Sequence, residues 1–117
     1  MYYKELLKRM NELMERVYNI GAEITIWEDE RDFGKDPVKL YSTTATTYEH
    51  ITKWLKDMDD LDTERARYEV HNRNNEEHSD YEKTYHILSY VLYPLREALT
   101  RTQKKIKLFM LEHEISK

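Results

Sequence analysis

Gly21-Ala22-Glu23-Ile24-Thr25-Ile26-Trp27 and, past a charged segment, Val38-Lys39-Leu40-Tyr41-Ser42-Thr43 are the stretches that decide the fold. The β-branched and aromatic side chains of 24–27 suit a pleated surface. As a strand, this run turns Ile24 and Ile26 toward a core and leaves Thr25 and Trp27 on the other face. Between the stretches lie charges, Gly34 and the pair Asp36-Pro37, which is turn chemistry. Alternation resumes from Val38 to Thr43. The pattern predicts a β-hairpin whose loop is longer than the tight two-residue type. Two strands alone are marginal in water, so the hairpin must lie on helices or pair with a further strand.

Upstream, Tyr3, Leu6, Leu7, Met10, Leu13, Met14, Val17 and Ile20 recur at helical spacing, with Lys4, Glu5, Lys8, Arg9, Glu12, Glu15 and Arg16 on the other face. This predicts a first helix over 2–20, stopped by Gly21. Downstream, Thr44 to Thr47 offers N-caps, and Thr46 or Thr47 is expected to start a second helix. Its seam is Tyr48, Ile51, Trp54, Leu55, Met58 and Leu61. Residues 63–71 read as more helix, kinked near Asp62-Thr63, in preference to a third strand. Residues 72–78 are a polar loop. Ser79-Asp80-Tyr81-Glu82 then reads as a capping box. A long third helix follows, with a stripe from Tyr81 and Tyr85 through Leu88, Leu92, Leu99 and Ile106 to His113, kinked near Pro94. The expected fold is α+β and mostly α, in one domain over 1–117. Three helices run antiparallel, with the β-hairpin inserted between the first and second.

Apolar residues make up 39% of the chain and charged residues 36%, with two Gly and two Pro, which fits a helix-rich globular protein. No apolar run approaches the ~20 residues of a membrane span, and the N-terminus has no apolar core of a signal peptide. Cysteine is absent, which excludes disulfides, thiol catalysis and cysteine-bound metal. The expected setting is intracellular, in the cytoplasm of a host cell. Residues 46–80 carry ten acidic and five basic side chains, whereas 81–117 carry four and seven. Packed side by side, these two segments would largely neutralise each other.

Candidate chemistry is sparse. His78, Glu82 and His86 stand at metal-pair spacing, but His78 precedes the cap, and solvated residues are the simpler reading. Asp57, Asp59, Asp60, Asp62 and Glu64 form an acidic cluster without the glycine of a calcium loop. Ser42, Thr43, Thr44, Thr46 and Thr47 lie near His50, yet no nucleophile elbow or phosphate loop is present, and capping is the simpler use of these hydroxyls. No cofactor or metal is expected, and the chain reads as a non-enzyme. Arg101, Lys104, Lys105 and Lys107 could face phosphate. They lack interleaved aromatics, so direct nucleic-acid binding is disfavoured and stays a third reading.

The strongest functional signal is excess apolar surface. Ile106, Leu108, Phe109, Met110, Leu111 and Ile115 nearly encircle the end of the third helix, and a small domain buries one stripe of a helix. The expected function is a small interaction protein, an inhibitor or adaptor of the kind that viruses and mobile elements encode. It would occlude a basic, nucleic-acid-handling host protein. Glu28, Asp29, Glu30, Asp32 and Asp36, with Asp57, Asp59, Asp60, Asp62 and Glu64, are the acids it would present. The alternative is an obligate homodimer or higher assembly that uses the Ile106–Ile115 end.

Overall fold

The computed structural model describes residues 3–71, 86 and 88–115. Helix α1 runs Tyr3–Phe33 and α2 runs Pro37–His71. A π-helical turn, Leu88–Leu92, leads into α3, Tyr93–Glu112. No strand occurs among the described residues. The expected hairpin is therefore wrong, and the fold is all-helical: 24–27 belong to α1 and 38–43 to α2.

The reason is periodicity. Leu6, Met10, Leu13, Ile20 and Trp27 are buried, with Val17 and Ile24 packed against them. These seven positions alternate four and three apart without a break, the spacing of a coiled-coil seam. A strand at 24–27 would abandon that seam. Helix keeps it, and so the β-propensity of a short run is overridden. The sides reverse as well. Trp27 is fully buried, and Ile26, expected inward, is half exposed. Gly21 does not end the helix: the seam runs on past it to Ile24 and Trp27, and Gly21 sits on the solvent side with open space where a Cβ would stand. Gly34 is the residue that ends it. Its N–H donates to the Glu30 carbonyl at 3.0 Å, and a Cβ there would come within 2.5 Å of that oxygen.

Helix α2 starts about ten residues earlier than the threonine run suggests. Asp36 is the N-cap, its Oδ1 accepting from the N–H of Val38 at 3.0 Å and of Lys39 at 3.3 Å. Pro37 follows at the first helical position, where its fixed φ and missing N–H cost nothing. Thr44 and Thr47 are buried seam residues, in line with Leu40, Ile51, Trp54, Met58 and Leu61. The helix continues past Asp62-Thr63 and includes 63–71. Residues 72–78 and the proposed cap at Ser79 lie outside the described residues. So do Tyr81 and Tyr85.

The interruption expected near Pro94 is the π turn that precedes it. Proline cannot donate to the Tyr90 carbonyl and its ring crowds that oxygen. A wider turn, in which carbonyls accept from five residues on, relieves both problems and keeps Leu88 and Leu92 in the core.

The helices pack antiparallel, and polar side-chain pairs record the register. Arg16 meets Asp57 at 2.7 Å, Glu23 meets His50 at 2.6 Å and Glu30 meets Lys39 at 3.0 Å, stepping up α1 and down α2. Between α2 and α3, Tyr93 donates to Asp62 at 2.6 Å and Gln103 to Thr52 at 3.0 Å, and Lys107 lies 5.5 Å from the Tyr48 ring centre. Two buried indoles tie α1 to α2. Trp54 Nε1 donates to the Leu13 carbonyl at 2.9 Å, and Trp27 Nε1 to Thr44 Oγ1 at 2.8 Å. The result is a rod of 58 × 20 × 18 Å. Among the described residues no helix is long and apolar enough to cross a membrane.

Candidate interaction surface

The acids proposed to meet a partner are mostly engaged within the chain. Glu28 lies 4.0 Å from Lys105, Glu30 pairs with Lys39, and Asp32 takes two hydrogen bonds from Arg31. Those bonds hold the Asp32 carboxyl below its ordinary pKa and raise that of Arg31, which also lies over the Trp27 ring at 4.8 Å. Asp36 caps α2. Asp57 pairs with Arg16, Asp59 lies 3.7 Å from Arg96, and Glu64 pairs with Arg67 at 3.1 Å. Asp62 is the hub, with Arg65 at 3.0 Å, Arg96 at 3.9 Å and the Tyr93 hydroxyl. Burial works against its charge, but the bonds from Tyr93 and Arg65 and the charge of Arg96 outweigh burial and lower its pKa. Asp29 and Asp60 are exposed and make no ion pair among the described residues.

The other candidates resolve into local structure. Thr44 accepts from Trp27 and donates to the Leu40 carbonyl at 2.6 Å, so its hydroxyl is committed to the core. His50 is held by Glu23. His86 is exposed and stacks on Tyr90 with ring centres 5.9 Å apart; His78 and Glu82 lie outside the described residues. Among the described residues no cluster of His, Asp and Glu could hold a metal ion.

The apolar end of α3 divides into two faces. Ile106 and Met110 are buried, and Phe109 packs edge-on against Trp27 at 5.6 Å. Ile115 folds back, its N–H donating to the Met110 carbonyl at 2.8 Å, with Glu114 in the left-handed region at φ 54. This is a C-terminal cap of the kind that buries a side chain against the last turn. Leu108 and Leu111 point the other way and remain 57% and 64% exposed. They line a shallow groove of about 310 Å³ with Tyr48, Gln103, Lys104 and Lys107. The antiparallel register set by Thr52–Gln103 and Tyr48–Lys107 carries Tyr41, 40% exposed, alongside the same end. Arg101, Lys104 and Lys105 are exposed along this helix.

Sequence reasoning found the apolar excess at 106–115 but not its division. It also missed Tyr48 as a wall of the groove. The available signal was the position of Tyr48 beside, and not within, the four-three seam of α2. No family model, no curated protein and no solved structure matches this chain.

Proposed function

We propose that this protein acts by binding another protein chain and not by catalysis, and that the docking surface is the α2–α3 face around Leu108 and Leu111. The supporting observation is the exposure of those two adjacent leucines on a helix whose opposite side is locked in the core by Ile106 and Met110. Such a patch, walled by an aromatic and rimmed by lysines, has the make-up of an interface core with a polar edge. The acidic-surface reading keeps less support. Eight of its ten carboxylates already have internal partners or a capping role, so a basic partner would have to displace them. The intracellular setting expected of a cysteine-free chain belongs to this proposal too.

A photo-crosslinking side chain at position 108, with Glu5 as the control position, tests the surface. Label transfer to a protein from 108 and not from 5, abolished by Leu111→Asp, is the expected result. Equal labelling from both positions would refute the assigned face. The nucleic-acid reading predicts RNA or DNA binding that weakens steeply with salt and falls when Arg101 and Lys104 are neutralised.

A further inference from the structure

We infer that the occupant of this face is a second copy of the chain, with the two α3 helices antiparallel across a two-fold axis between residues 108 and 111. The inference rests on the α2–α3 face being a docking surface and supplies the partner. Arg101, Lys104, Leu108 and Leu111 follow four-three spacing on the side of α3 opposite Ile106 and Met110. They form a second seam, outside the bundle. Two such seams laid antiparallel set Leu108 of each copy against Leu111 of the other. The Lys104 stems extend the apolar contact beyond the leucines, with their ammonium groups in water.

Charge fixes the direction. In a parallel pair each seam residue faces its own copy, so Arg101 meets Arg101 and Lys104 meets Lys104. The antiparallel pair separates them. Lys105 and Glu112 are both exposed, seven residues apart on one edge of the seam, the edge nearer α1 where Lys105 approaches Glu28. Turning one helix about the two-fold axis keeps that edge on the same side and reverses its direction. Lys105 of each copy then meets Glu112 of the other, and symmetry makes the contact twice. On the other edge Lys107 is held over the Tyr48 ring, which keeps that flank compact against the leucines.

Sedimentation equilibrium of the purified full chain, 14.4 kDa, decides the matter. The expected result is a mass of two chains at concentrations on the order of 100 µM. Leu111→Asp should give one chain with unchanged helical circular dichroism, since the side chain it replaces lies outside the core. Lys105→Glu and Glu112→Lys should each weaken the dimer about tenfold, and the double charge swap should restore it. A single-chain mass at every concentration overturns the inference. Crosslinking from 108 to a different protein would then still uphold the docking surface, and no crosslink at all would end both readings. A dimer indifferent to Leu111→Asp, or one weakened by both single swaps and not rescued by the double, also overturns it.

Discussion

The indole N–H of Trp27 is buried, and the acceptor it uses, the Thr44 hydroxyl, is buried with it. Thr44→Val keeps the shape and removes the acceptor, so a desolvated donor is left without a partner. The expected loss is about 1–3 kcal/mol of unfolding free energy. Chemical denaturation measures it, and a variant as stable as the parent would mean that the bond is dispensable. Asp62 makes a different prediction. Its pKa is lower folded than unfolded, so its contribution to stability is present above the ordinary value of 3.8 and is lost as pH falls through the lower folded value. Asp62→Asn removes that contribution. Its melting temperature should fall less steeply than the parent's below pH 3.8, although the carboxylate is partly exposed and the difference is modest.

At the scale of the element, α1 contains a glycine in its interior that no packing requires. Gly21 has open space at its Cβ, so Gly21→Ala should stabilise the protein by about 0.5–1 kcal/mol, read as a higher melting temperature. A lower one would show that the backbone at 21 departs from regular helix. This position also explains the mistaken hairpin. Ile24-Thr25-Ile26-Trp27 has local strand propensity, and a glycine before it looks like a stop. Yet Val17, Ile20, Ile24 and Trp27 continue the spacing of Leu6, Met10 and Leu13. That longer pattern was legible in the sequence, and it outweighs four residues of propensity because it buries a continuous seam. Asp36-Pro37 was legible too. Read as a turn, it is better read as a helix start, with an N-cap and a proline at the first position.

At the scale of the molecule, an assembly held by Leu108 and Leu111 links stability to concentration. The melting temperature of the parent should rise with protein concentration, and that of Leu111→Asp should not. A parent whose melting temperature is independent of concentration would contradict the dimer. The apolar surplus at 106–115 could be read from composition and spacing alone, because one stripe cannot absorb six apolar residues wrapped around a helix. Which of them stay outside could not be read, because that depends on what lies opposite. With Trp27 assigned to the outer face of a strand, its ring was not counted as cover for Phe109. With Trp27 turned inward on α1, Phe109 is partly covered, and the fully outward surplus shrinks to Leu108 and Leu111 beside Tyr48. The acids behave alike. Their number was plain, but their engagement by Arg16, Lys39 and Arg96 follows from the antiparallel register. The sequence by itself determined that there are long helices with four-three seams, since periodicity is a local property of the chain. Only the tertiary structure decided which surface remains free, since exposure is set by neighbours distant in sequence.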